Sequence, residues 1–466
     1  MKSKLFKIFS ILTLAFVLFM VASCDAGSTT TVEIPEQFKI ENDIVTFESE
    51  ASIKYRIELT RVSDGLVLKR YIESGTDLNT LNIPEGDYMI KIQAIKNNVE
   101  SKYSEELSYH QKDLYLVNNI KEADLINGRF IKWMGRTSFK NNEVTMYYTA
   151  AGFSVKAQKV EEELSLKATI TATNYNVADK QPYVVLVLDN DFENTITIRL
   201  TKQTTEIEFV GEAGFNVTDS EVHEFSLYKR SESIDSHIGL KDLTTTGKFI
   251  EGVSYKERKI EVIAASSSTG YGNLSNSNKT TSNSDGLHAF AFLTAQALNA
   301  EISIVSASGW GISASRWTSP NTVNMHDKYF MVDCMSNEPW DTSKYIPDVI
   351  VTNFGTNDLS YINNTSDELV KAERRENFIA TYVDFLDRLH KTYPKAQIII
   401  LYGLMNESGV YEDHTTIYNR AIELIPNLQM LKINGDAKGY NSHPSVASHA
   451  VIAETLTAKI KEFMNW

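Results

Sequence analysis

The chain has 466 residues, of which 42% are hydrophobic and 23% charged, proportions of folded globular protein and too many residues for one core. Its 60 acidic against 46 basic residues give a formal net charge of -14, which excludes nucleic acid and an anionic membrane surface as partners. A neutral ligand such as a glycan is indifferent to that field.

Residues 1–24 read as a leader. Lys2, Lys4 and Lys7 form a positive start, and Ile8 to Ala22 is an apolar run too short for a good membrane span. It ends at Val21-Ala22-Ser23-Cys24, which resembles the lipobox of bacterial lipoproteins. The resemblance implies that Cys24 is lipidated and becomes the mature N-terminus, with residues 25–33 as a tether and the protein held outside the cytoplasm, on a membrane or the cell surface. Stable anchoring requires more than one acyl chain. Only Cys334 then remains, so the mature chain has no intramolecular disulfide and that thiol reads as a buried apolar group.

Residues 34–112 alternate with a period of two. Ile53, Tyr55, Ile57 and Leu59 face one way, Asp64-Gly65 supplies a turn, and Tyr88, Ile90, Ile92 and Ala94 alternate after Gly86. The pattern predicts a small all-β sandwich similar to a fibronectin type III domain. Residues 113–252 continue in β, with Leu164, Leu166, Ala168 and Ile170, then Tyr183 to Leu188, then Ile196, Ile198 and Leu200; a jelly roll is expected.

From residue 253 to 466 strands alternate with amphipathic helices. Strands are expected over Lys259 to Ala265, Glu301 to Ala307, Pro347 to Phe354, Ala396 to Leu401 and Leu428 to Ile433. Helices are expected over Asp285 to Ala300, after a capping box at Thr365 and Glu368, and over Val446 to Phe463. The second of these puts Phe378, Tyr382, Phe385 and Leu389 on one face. Repeated βα units predict an α/β/α domain with a mostly parallel five-stranded sheet, its site at the carboxyl ends of the strands.

Three such ends carry suggestive loops. Ser266 to Asn273 follows the first strand, Ser308-Gly309-Trp310-Gly311 the second, and Gly355-Thr356-Asn357-Asp358 the third. Each alone is an ordinary loop, and Asn357 or Asp358 would serve equally as a turn cap. A fourth segment, Tyr440 to Ser445, places His443 in a loop just ahead of the last helix, whereas His449 falls inside that helix and reads as structural.

In this order the segments resemble the SGNH hydrolase superfamily, and within it carbohydrate esterase family 2, whose members set a jelly roll before the hydrolase domain. Trp340-Asp341-Thr342-Ser343-Lys344 and His443-Pro444-Ser445 extend the match, which runs from about Leu125 to the C-terminus. The resemblance implies a serine esterase that removes acetyl groups from polysaccharide of the xylan or mannan type, without metal or cofactor and as a monomer. It makes Ser266 the nucleophile, His443 the base, and Ser266, Gly309 and Asn357 the oxyanion donors.

The sequence departs from that family at three places. Ala264-Ala265-Ser266 replaces Gly-Asp-Ser, which leaves Ser267 and Ser268 as rival nucleophiles. Asn441 stands where the family has the triad aspartate, and Ser442 where it often has an aromatic. Asn441 is expected to orient His443 through its side-chain oxygen; a backbone carbonyl or Asp436 are the other possibilities. Trp310, Trp317 and Tyr271 are candidates for sugar stacking or core packing alike. The alternative function is a catalytically degenerate, carbohydrate-binding surface lipoprotein.

Overall fold

The computed structural model describes residues 31–466 apart from 82, 98, 112–117, 161–162, 316–322 and 406–409. The leader with Cys24, most of the tether and Trp317 lie outside the described residues. The chain divides into two compact units, Met1–Leu114 and Tyr115–Trp466.

In the first unit the strand Lys54–Arg61 lies between Val67–Ile72 and Gly86–Lys96, and the latter also pairs with Val99–Glu100 and Leu107–Gln111, all antiparallel. Lys39–Glu41, Ile44–Thr46 and Thr76–Asp77 make a smaller antiparallel sheet. The two-residue period is realised: Tyr55, Ile57 and Leu59 and then Tyr88, Ile90, Ile92 and Ala94 are buried in one apolar core. At the Asp64-Gly65 turn, Gly65 takes φ 73° and its N–H donates to the Arg61 carbonyl at 2.9 Å.

The second unit opens with two antiparallel sheets. One runs in the order Ile131–Met134, Gly152–Gln158, Val222–Lys229, Tyr183–Leu188 and Ile196–Arg199. The other runs Thr137–Lys140, Glu143–Met146, Ile238–Thr245, Leu166–Ala172 and Thr204–Val210. Their inward residues, among them Phe153, Val155, Leu166, Ile170, Leu186, Phe225 and Leu240, form a common core, so this region is a β-sandwich. Segment 230–237 carries the chain from one sheet to the other.

The rest of the unit is a parallel sheet with helices. Its strands are β1 (Arg258–Ala264), β2 (Ala300–Ser306), β3 (Val349–Asn353), β4 (Gln397–Tyr402) and β5 (Gln429–Lys432), in the order β2-β1-β3-β4-β5. The helices are α1 (Phe290–Ala297), α2 (Thr356–Ile362), α3 (Glu368–Thr392), α4 (Val410–Ala421) and α5 (Val446–Met464). All seven residues of β2 are buried although it is an edge strand, so both of its faces are covered. The strand order reverses direction at β1, and the register aligns Ala264 with both Ser306 and Asn353. The loops after β1, β2 and β3 therefore leave the sheet side by side, where open α/β sheets hold their sites.

Two helix starts differ from expectation. Asp285 does accept N–H bonds from Leu287 and His288, but Ala289 is extended (φ -87°, ψ 153°), so a single 3₁₀ turn forms there and α1 begins only at Phe290. Ahead of α3 the cap is Asp367, whose carboxylate accepts from Leu369 and Val370; Thr365 instead accepts the Asp367 N–H, so the Thr365–Glu368 capping box does not form. A carboxylate beside the helix N-terminus is the stronger acceptor there. The predicted face of α3 holds, with Phe378, Tyr382, Phe385 and Leu389 buried. Among the described residues no helix is long and apolar enough to cross a membrane.

The sandwich and the parallel sheet are also joined by buried charge. Arg136 of the sandwich pairs at 3.4 Å with Glu261 on β1, both side chains 1% exposed, and Lys132 pairs at 3.4 Å with Glu301 on β2.

Candidate active site

β1 ends at Ala264, and after Ala265 the chain turns at once through Ser266–Thr269 as 3₁₀ helix, lifting Ser266 above the sheet. Ser266 Oγ lies 2.7 Å from His443 Nε2. The rival hydroxyls are otherwise placed: Ser268 is fully buried and its Oγ bonds the Ser306 hydroxyl at 2.6 Å and the Ala265 carbonyl at 3.1 Å, while Ser267 is buried and His443 Nε2 bonds Ser266 instead. Of the three serines, Ser266 is the one bonded to His443.

His443 is held from behind by main chain. Its Nδ1 lies 2.9 Å from the Tyr440 carbonyl. A carbonyl only accepts, so Nδ1 carries the proton and Nε2 presents a lone pair to Ser266. The expected role of the Asn441 side chain is therefore corrected. Asn441 and Ser442 both take left-handed backbone (φ 50° and 63°), which turns the Tyr440 carbonyl inward and leaves both residues exposed. Asp436 is engaged elsewhere. It accepts from Ser445 N at 2.9 Å and Lys438 N at 3.1 Å, and so fixes the entry to α5.

The Gly270-Tyr271-Gly272-Asn273 segment explains itself as a clamp on this loop. Gly272 has φ 57°, its carbonyl accepts Tyr440 N–H at 3.0 Å, and a Cβ there would stand 2.5 Å from Tyr440 Cβ. Asn273 exchanges two 2.9 Å bonds with the Asp285 backbone. Between them Tyr271 lies flat on His443, ring centroids 4.4 Å apart. Burial pushes the His443 pKa below the usual histidine value, partly opposed by main-chain bonds at Tyr440 and Asn441 and by the charge of Glu232. That shift favours the neutral imidazole, the form able to accept a proton.

The second and third loops meet each other. Gly309 takes φ 80° at the turn after β2, where side chains are disfavoured. Asn357, in the first turn of α2 and buried, donates one amide hydrogen to the Trp310 carbonyl at 3.0 Å and has a second to give. The next residue, Asp358, is fully buried and accepts the N–H groups of Ile312, Ser313 and Ala314 at 3.0, 2.8 and 3.3 Å. Burial raises its pKa, and those same bonds draw it back down. Gly311 is obligatory under this contact, because a Cβ would sit 2.6 Å from the Asp358 carboxyl carbon. Asp358, read in the sequence only as a possible turn cap, is the anchor of the whole second loop.

The aromatic candidates separate as well. Trp310 is 3% exposed and belongs to the core, Tyr271 supports His443, and Trp317 lies outside the described residues. His449 is buried in α5 and accepts the Phe290 N–H at 3.3 Å, as a structural residue does. Among the described residues no group of three or more His, Cys, Asp or Glu side chains is arranged to hold a metal ion.

No family model matches the chain. It is 30% identical over 258 residues to the cellulase/esterase CelE of Acetivibrio thermocellus, a match spanning 52% of this chain and only 30% of that protein. It is 26% identical over 344 residues to an acetylxylan esterase / glucomannan deacetylase of Cellvibrio japonicus, spanning 72% of this chain and 89% of that one. The fold is similar to that of a family two carbohydrate esterase from Clostridium thermocellum solved in complex with cellohexaose, with TM-score 0.61, 24% identity, and 72% of this chain and 99% of that chain covered. The sequence relatives named here are thus esterases, and the chain shares its fold with carbohydrate esterases of family two.

Proposed function

We propose that the protein is a serine esterase that removes acetyl groups from polysaccharide, with xylan- or mannan-type glycans as the substrate class. One observation carries the reading: the 2.7 Å bond from Ser266 Oγ to an imidazole whose other nitrogen is committed to a carbonyl. Glycan binding alone requires no such pair, which disfavours the degenerate, purely binding alternative.

In this reading Nε2 of His443 takes the Ser266 proton as Oγ attacks the acetyl carbonyl. The N–H groups of Ser266 and Gly309 and the Asn357 amide receive the oxyanion. Collapse expels the sugar hydroxyl, which takes its proton from the imidazolium, and water then hydrolyses the acetyl-enzyme by the same route. The base is supported by a neutral carbonyl rather than a carboxylate, so the machinery is a Ser–His dyad. No cofactor enters the scheme.

The remaining assignments complete the proposal. Residues 34–112 act as a fibronectin III-like spacer, 113–252 as a jelly roll and 253–466 as the catalytic region. Cys24 carries the lipid that keeps the monomer outside the cytoplasm, on a membrane or the cell surface. Lipidation is checked by the mass of a Cys24→Ser product, which is expected to carry no acyl chains. The function is tested by hydrolysis of 4-nitrophenyl acetate, then of acetylated xylan and mannan, beside Ser266→Ala. Turnover equal in both proteins defeats the nucleophile assignment, and turnover in neither favours the binding alternative.

A further inference from the structure

Segment 230–237 links the two sheets of the sandwich, yet it docks on the loops of the active site. The Arg230 guanidinium donates to the Thr281 carbonyl at 2.9 Å, and the Arg230 carbonyl accepts the Gly286 N–H at 3.3 Å. Lys229, fully buried, donates to the carbonyls of Ser231 and Glu232 at 2.6 and 3.1 Å and so shapes the bend.

That bend delivers Glu232, whose side chain is 3% exposed. One carboxylate oxygen accepts the N–H of Ser308, the residue before Gly309, at 3.1 Å. The other pairs with Lys279 at 2.9 Å, and Lys279 Nζ stands 5.6 Å from the centre of the Tyr271 ring that lies on His443. The second loop is thus pinned at two points by buried carboxylates, by Glu232 at Ser308 and by Asp358 at Ile312 to Ala314.

Taking the esterase reading as its basis, we propose that Glu232, contributed by the sandwich, is a positioning residue for the reaction. It fixes the Ser308–Gly309 peptide that presents an oxyanion donor and, through Lys279, the Tyr271 ring that backs His443. A donor must stand within hydrogen-bond reach of where the oxyanion develops, and a displacement of about 1 Å costs on the order of 10²-fold in rate. The charge of Glu232 also favours the protonated imidazole that forms in the transition state, in a chain with Asn441 where a triad carboxylate would stand.

The test is steady-state hydrolysis of 4-nitrophenyl acetate by the full protein, Glu232→Gln, and the double variant Glu232→Gln/Lys279→Met, with Ser266→Ala as control. The double variant removes the Glu232–Lys279 pair as a unit; Asp235, the second carboxylate on Lys279, keeps the charge of the buried Lys229 near it, so the measurement stays possible where Glu232→Gln alone folds poorly. Both glutamine variants are expected to lose about 10- to 100-fold in kcat per folded molecule, with KM changed less than about threefold. A folded double variant whose kcat stays within about twofold of the parent overturns the proposal, as does a loss seen only as a lower melting temperature. Absence of Ser266-dependent turnover in the parent defeats the esterase reading itself and this inference with it.

Discussion

The two compact units bury different chemistry. Among the described residues of the first unit the buried polar side chains are Gln93 and Gln111, and no buried charge appears. The second unit buries Lys132, Arg136, Lys229, Glu232, Glu261 and Asp358 among others. Those charges gather where the sandwich meets the parallel sheet and where loops must be held against the site. Apolar packing is enough for a small sandwich. Hydrogen-bonded charge, costly to desolvate but directional, is used where one loop must take one position.

Four experiments break or sharpen that contrast. The largest effect is expected from His443→Ala, which removes the base. Turnover should fall by about 10⁵-fold or more while the melting of both units stays as in the parent, followed by activity and calorimetry together. Residual activity near the parent's would end the dyad assignment.

Next comes the buried charge itself. Arg136→Met strands Glu261 on β1 and should cost about 3–5 kcal/mol in chemical denaturation. Glu58→Gln in the first unit breaks contacts to Lys69 and Lys91 on an open sheet face and should cost at most about 1 kcal/mol. Equal losses would erase the distinction between the two units.

A smaller effect concerns pH. Burial lowers the His443 pKa, so the neutral base persists below the ordinary histidine value. Activity should be lost as pH falls through that lowered pKa, placing the acid limb of kcat/KM below about 6.5. A limb above that value would mean that the burial seen here does not govern the base.

The smallest effect is expected at Asn441. The side chain is exposed and Nδ1 is already bonded to Tyr440, so Asn441→Asp should change kcat by less than about twofold. An increase of tenfold or more would show that a carboxylate can reach the imidazole after all.

Much of this was legible in the sequence wherever a period or a local motif carried it. Alternation located the core of the first unit at Ile57, Leu59, Ile90 and Ile92, and strand-then-helix grammar located the parallel sheet. The loops bearing Ser266, Gly309, Asn357 and His443 stood out because each follows a strand or precedes a helix. Contacts distant in sequence were not legible. Nothing local marks Glu232, whose partner Ser308 lies 76 positions on, nor Asp358 as the acceptor for three N–H groups of another loop. Asp367 displaced Thr365 as a cap because two acceptors compete at one helix start. The expectation for Asn441 failed because side-chain identity says little about backbone handedness, and two successive left-handed residues turned a carbonyl into the site.

That carbonyl has an evolutionary consequence. In a triad, the group that orients the histidine is written in one codon and can be lost to a single base change. Here the orienting oxygen belongs to the peptide backbone at Tyr440, which every amino acid supplies. Drift at positions 440–442 can erode it only by changing the path of the chain, and an alanine scan would pass over it in silence. What selection must preserve is the shape of the turn, including the glycine at 272 that lets Tyr440 lie so close.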